Sequence, residues 1–236
     1  MREYPPAVDG TMGVVYPRPT PTQRVIDRSA GPATLTELLA RPDVVERSEL
    51  RSTFGLLAIH GGGLEVMTDV IAIAAAEAAG ASYYVVVHPD DVDHHLPSIS
   101  YRPAESAALA AFVEHVDTVV SVHGYGREGG WTSILAGGRN RRLAATLADE
   151  AAPRLPDYDV VTDLDRIPVE LRGLHAANPV NLGRDAGVQL ELPPRVRGLS
   201  PLSPPPGPDG LSPPTRALIE TLAAVAERWT VSPRPA

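Results

Sequence analysis

The 236-residue chain has no cysteine. Structural disulfides, thiolate zinc sites, iron–sulfur clusters and cysteine nucleophiles are therefore excluded. Lysine is absent as well: all 21 basic residues are arginine. That removes Schiff-base chemistry and a P-loop lysine. The lack of lysine, beside abundant Ala, Pro, Arg and Val, reads first as the coding bias of a GC-rich genome. No stretch approaches the ~20 apolar residues of a membrane span. The first residues, Met1 to Arg24, contain no apolar h-region of the kind a secretory signal needs. The expected compartment is the cytoplasm, with release by another route left open. A Gly-x-Ser-x-Gly nucleophile elbow is also missing. This weakens a serine-hydrolase reading of His60-Gly61-Gly62-Gly63 as an oxyanion-hole motif, and Ser121 reads as a core-facing strand residue.

What is present describes a globular chain. Hydrophobic residues make up 43%, enough to bury a core at this length. The net charge of -8 offers no footprint for nucleic acid or an anionic membrane, and neither is expected as a partner. It would also repel a polyanion unless a local cation offsets it. The expected state is a monomer.

Residues 1–32 are rich in Pro, Thr and Gly and read as an extended arm. A short amphipathic helix is expected within 33–49. Apolar runs at 55–60, 83–88, 117–124, 130–138, 158–162 and 186–192 read as strands. Between them, 67–80, 104–116 and 139–152 read as helices, with Gly80 closing the first. Short strands alternating with longer helices predict one α/β domain over 33–192, an open, mixed but mainly parallel sheet with helices on both faces. Nine of the 25 prolines fall in 193–214, which reads as a surface segment. A final amphipathic helix at 215–229, within a C-terminal stretch 215–236, is expected to dock back on the domain.

Two of these strands end in His-Gly: Ile59-His60-Gly61 and Val122-His123-Gly124. Ligands of open α/β sheets bind beyond the carboxyl ends of the strands. Glu65 follows His60 across the triple-glycine turn. Two histidines and one glutamate form a catalytic zinc set with a fourth position open for water, and zinc brings the pKa of such a water to about 7. Glu191, a carboxylate among apolar strand residues, is the candidate general base. The competing reading turns Glu191 outward to an arginine, Arg195 or Arg197. His88 is a third ligand candidate or a loop residue, and the run Asp90 to His95 is a metal binder or a solvated loop.

Together, LAIHGGGLEVMTDVIA (57–72), VVSVHG (119–124), the AGG-plus-helix segment (136–147) and GVQLEL (187–192) resemble the poly-γ-glutamate hydrolase family. Its members are phage-associated zinc peptidases with a zinc-carboxypeptidase-like fold. The resemblance runs from about 33 to 229. It implies zinc held by His60, Glu65 and His123, catalysis by Glu191, and an acidic peptide or polymer substrate. Arg184 matches an arginine upstream of the last strand and is expected to bind a substrate carboxylate or steady the oxyanion, with a surface ion pair as its alternative. Met67 stands where the family has glycine before Thr68. His95 falls in the place of a family His-Ile-Thr-Ser run, with Pro97 instead of the threonine, and is expected to contact substrate. Arg139 opens a basic cluster, 139–142, that either attracts a polyanion or is solvated surface. The implied activity is zinc-dependent hydrolysis of γ-glutamyl amides. The alternatives are a zinc deacylase of small N-acyl amino acids, or a binding module on the same fold.

Overall fold

The strand-forming runs of this chain are nearly continuous in Val, Leu, Ile and Ala, as strands covered on both faces require. In the computed structural model, which describes residues 31–90 and 95–229, they become the middle of a seven-stranded sheet. The strands are β1 Val45–Glu49, β2 Phe54–Gly62, β3 Ser82–His88, β4 Thr118–Gly124, β5 Ser133–Ala136, β6 Asp159–Val161 and β7 Gly187–Leu192, in the order β1-β3-β2-β4-β7-β5-β6. The central four, β3, β2, β4 and β7, are parallel; β1 and β5 each run antiparallel to their central neighbour. Nearly all of the expected N-terminal arm lies outside the described residues.

Helices cover both faces. α2 (Thr68–Ala79), α4 (Arg141–Ala151) and α5 (Pro213–Arg228) pack over Leu56, Ala58, Val120, Val122, Val188 and Leu190. On the other face, α1 (Leu35–Leu39) and α3 (Ala107–His115) cover Leu57, Ile59, Tyr84, Val86 and Val119. Alternate residues of each strand thus serve opposite cores. Truncating a fully buried leucine such as Leu56 to alanine costs roughly 2–5 kcal/mol. No helix among the described residues is long and apolar enough to cross a membrane.

Two elements differ from expectation. The sequence Val45-Glu-Arg-Ser-Glu49 forms an edge strand, mostly exposed, after a helix of five residues. Its charges hide it from a hydrophobic pattern and also make that edge a poor template for strand pairing. The Pro-rich segment is less superficial than its composition suggests. Val196 and Leu211 join the core, and Arg197 is buried. α5 begins at Pro213, with Ser212 accepting the Thr215 N–H and prolines in its first two positions, where no backbone N–H is needed.

Candidate active and metal site

The carboxyl ends of β2, β4 and β7 lie side by side, and each carries one polar residue of the site: His60, His123 and Glu191. His123 and Glu191 are direct register partners on adjacent parallel strands. The pairing of β2 with β3 shifts register between Ala58 and Gly61, and His60 lies within that irregularity, a device that re-aims side chains. The glycines beyond it let the turn pass close to β3. A Cβ on Gly62, whose φ is +68°, would lie 2.2 Å from the His88 carbonyl oxygen. The turn is tied down as Gly62 N–H donates to Asp69 Oδ1 and Thr68 Oγ1 donates to the Glu65 carbonyl. Met67, at φ +77°, occupies the left-handed region that a glycine would fill without strain.

This turn holds the Glu65 carboxylate between two imidazoles. Oε1 lies 2.8 Å from His60 Nδ1; Oε2 lies 3.3 Å from His123 Nδ1 and accepts the Gly124 N–H at 2.9 Å. Burial works to raise the Glu65 pKa, but the His60 and His123 charges and hydrogen bonds outweigh it and hold the carboxyl well below its ordinary value. For His123, burial disfavours the cation, and the Glu65 carboxylate more than reverses this, so its pKa is raised.

Both ring nitrogens of His60 face acceptors. His60 Nε2 is 3.0 Å from the Leu96 carbonyl, which only accepts, so Nε2 carries hydrogen. Its Nδ1 faces an ionised carboxylate, which also only accepts. A neutral imidazole has one N–H and cannot satisfy both. Either a second proton or a metal ion must stand between Nδ1 and Glu65. A second-ring nitrogen anchored on a carbonyl is the usual arrangement of a metal-binding histidine. His123 Nε2 is buried with no partner. These donors fit a borderline divalent metal.

His95 belongs to the same cluster. One ligand atom each from His60, Glu65 and His95 lie within 4.8 Å of one another, and the His95 ring stands 4.7 Å from that of His60. Desolvation on its inner side, and then the charge of His60, lower its pKa. His88 is turned away, its Nε2 on the Ile59 carbonyl. Asp91 to His94 of the acidic run lie outside the described residues.

Glu191 is inside, not outward. Burial pushes its carboxyl up to about 7, against the pull of His123. Arg197 does not meet it in an ion pair. Its guanidinium donates to the carbonyls of Leu192, Val66 and Tyr125, tying the ends of β7, the Glu65 turn and β4 together behind the site. Burial lowers its pKa to about 10.

His60, Glu65, His95, His123 and Glu191 all line one cleft of about 880 Å³. One wall is formed by 95–99 and the other by 169–175, which brings Arg172 and His175 to it. Neither was legible beforehand, because that wall is loop and 3₁₀ turn without periodicity. Arg184 and Arg139 do not reach the cleft. Arg184 precedes β7 and its Nε lies 3.4 Å from Asp117 Oδ1, at the amino end of the parallel strands. Gly187 at that end is four residues, roughly 13 Å of strand, from Glu191. Arg139 is exposed at the same end, because β5 runs antiparallel to β7. Arg141 binds the carbonyls of Ala136, Gly137, Gly138 and Thr162, and Arg142 stacks on Trp229 at 3.9 Å. Both are structural.

A protein-family model described as Poly-gamma-glutamate hydrolase matches residues 34–199. Two solved structures share the fold at 20% identity. Zinc-free YNDL gives a TM-score of 0.64 and covers 81% of this chain and 94% of its own. A bacteriophage poly-gamma-glutamate hydrolase gives 0.60, covering 80% and 93%. No curated protein matches the sequence. The family match spans well over half of the chain, and the protein belongs to the poly-gamma-glutamate hydrolase family.

Proposed function

We propose that the protein is a zinc-dependent amide hydrolase that cleaves γ-glutamyl bonds of poly-γ-glutamate. The observation that carries the reading is the convergence of ligand atoms of His60, Glu65 and His95 within 4.8 Å of one another, with His123 on the other oxygen of Glu65, at the carboxyl ends of parallel strands. His60, Glu65 and His123 would hold the ion, with His95 beside them. Bound there, zinc supplies a Lewis acid and an acidified water. The chain's own residues do the rest. Leu96 fixes the His60 ring through Nε2, and Gly124 N–H steadies Glu65. Glu191 accepts the proton of the attacking water as the new C–O bond forms. It then returns the proton to the leaving nitrogen as the C–N bond breaks, giving an amine and a carboxylic acid, which releases the second proton of the water. A carboxylate beside the ion would stay ionised as an acceptor and, once protonated, would be acid enough to give the proton up. Arg172, whose Nε donates to the Ile167 carbonyl at 2.8 Å, and His175 are the groups of the cleft wall suited to a substrate carboxylate.

The runner-up, a deacylase of N-acyl amino acids, draws on a different observation. Ile99, Val169 and Leu174 expose apolar side chains at the cleft. Chain-length analysis of poly-γ-glutamate digests, beside assays on N-acyl amino acids, separates the two. Zinc content by ICP-MS after zinc loading tests the ligand set: about one zinc per chain is expected. A chain that takes up no zinc and cleaves neither substrate would sink both readings.

A further inference from the structure

Behind Glu191 runs a chain of amides whose direction is fixed at its far end. Val180 N–H, a backbone donor that cannot reverse, donates to Asn178 Oδ1 at 3.2 Å. Asn178 must therefore turn Nδ2 the other way, where it donates to Gln189 Oε1 at 2.8 Å. Gln189 in turn must present Nε2 to Glu191 Oε1, at 2.8 Å. All three side chains are buried. Gln189 cannot leave this line, because Gly173, at φ +62°, packs so closely that a Cβ there would lie 2.6 Å from Gln189 Oε1; only an in-place flip of the amide, exchanging its oxygen and nitrogen, is open to it. Asn181 holds that glycine in place by donating Nδ2 to the Gly173 carbonyl at 2.7 Å.

We infer that Asn178 and Gln189 are positioning residues that reserve Oε1 of Glu191 as an acceptor and leave Oε2 as the one oxygen that takes and releases the proton. This rests on the general-base reading of Glu191. The chemistry follows from polarity. In a neutral carboxyl the carbonyl oxygen is the better acceptor, so an N–H fixed on Oε1 favours the acid proton on Oε2. One oxygen, held in one orientation, exchanges the proton with water and with the leaving nitrogen. If Gln189 were reversed, its carbonyl would face Glu191 and hold the carboxyl protonated toward itself, away from the substrate.

Asn178→Asp reverses the chain. The new carboxylate still accepts from Val180 N–H but cannot donate to Gln189, whose amide then turns Nε2 toward position 178. Loss of a partner in an outer shell costs about 10–100-fold in activity. On poly-γ-glutamate, kcat per folded, zinc-loaded site is expected to fall by that factor, with KM within about twofold. Gln189→Met, of similar volume, removes both links and should fall likewise. A merely structural role would lower the yield or melting temperature of folded protein without this split between kcat and KM. An activity-independent readout is available in the metal-free protein. The Gln189 side-chain amide protons, held on a carboxylate in the wild type, should shift upfield in Glu191→Ala and move again in Asn178→Asp. Wild-type kcat in both folded variants, with Glu191→Gln inactive, would overturn the positioning role alone. Wild-type turnover in Glu191→Gln would overturn the general-base reading beneath it.

Discussion

Two carboxylates face the same cleft and are held in opposite ways. Glu65 sits on a strained turn between two imidazoles, and their charges keep it ionised despite its burial. Glu191 sits on a regular central strand, touched by one amide N–H, and burial lifts its carboxyl to about 7. Residue type does not separate them; surroundings do. Paired titratable groups pushed apart in this way divide a task, one serving as a permanent anion and the other as a proton carrier. The contrast is broken most directly by removing each charge in turn. Glu65→Gln should lose zinc, read by ICP-MS, and turnover should drop to background. Glu191→Gln should keep its zinc and lose turnover by roughly 10²–10⁴-fold. If both variants lost metal alike, the division of roles would collapse.

The same contrast predicts opposite pH dependences for the stability of the metal-free protein. Glu65 has a folded pKa below its unfolded one. Its contribution is present above the unfolded value and is lost as pH falls through the folded one. Glu191 has a raised folded pKa. Its contribution is present below its unfolded value, near 4.5, and is lost as pH rises through about 7. Replacing Glu191 with Gln should therefore matter little at pH 5 and stabilise the protein at pH 8. The upper bound on that gain is on the order of 3 kcal/mol. Denaturant titration at the two pH values measures it. An equal effect at both would mean that Glu191 is not buried as an acid.

How far this was legible in the sequence follows from where each residue sits. His60, His123 and Glu191 end apolar strands, and strand ends can be read from a run of Val, Ile and Leu. The order of the central sheet was not legible, because nothing in β5 announces that it runs antiparallel to β7. That reversal is what carries Arg139 to the far end. Arg184 misled for a related reason: closeness in sequence to Glu191 spans the whole length of β7. Asn178 and Gln189 look like ordinary polar residues until the direction of their hydrogen bonds is known. Arg197, hidden in a proline-rich stretch, is tied to the site by three backbone carbonyls contributed by three separate segments.

The arginines give a third and smaller test. Arg172 lines the cleft, with the exposed Asp165 4.0 Å from its guanidinium, whereas Arg184 pairs with Asp117 at the opposite end of the sheet. Loss of a charge-assisted contact to a substrate carboxylate costs about 1.5–3 kcal/mol. Arg172→Ala should therefore raise KM for poly-γ-glutamate roughly tenfold or more, while Arg184→Ala leaves KM and kcat within about twofold. The reverse ranking would restore Arg184 to the substrate and place the polymer across the amino end of the sheet.

The smallest effect concerns the turn itself. Met67 holds a φ of +77° and its side chain packs against the core, so replacing it changes both strain and contact. Comparing two replacements separates these. Met67→Ala and Met67→Gly both lose the packed side chain, and they differ in the cost of the left-handed backbone. In an ordinary helix interior, glycine is the less stable of the two by about 1 kcal/mol. Here the order should reverse, with Met67→Gly more stable than Met67→Ala by about 1 kcal/mol, because alanine keeps a Cβ in a region where only glycine is unstrained. Denaturant midpoints of the two variants decide it. The reversal, if measured, locates strain in the turn that carries Glu65 and nowhere in the strand that carries Glu191, among whose residues none has a positive φ. The anion corner would then be held by a turn under tension and the proton-carrying corner by relaxed sheet. An alanine variant at least as stable as the glycine variant would show that the Glu65 turn is no more strained than β7.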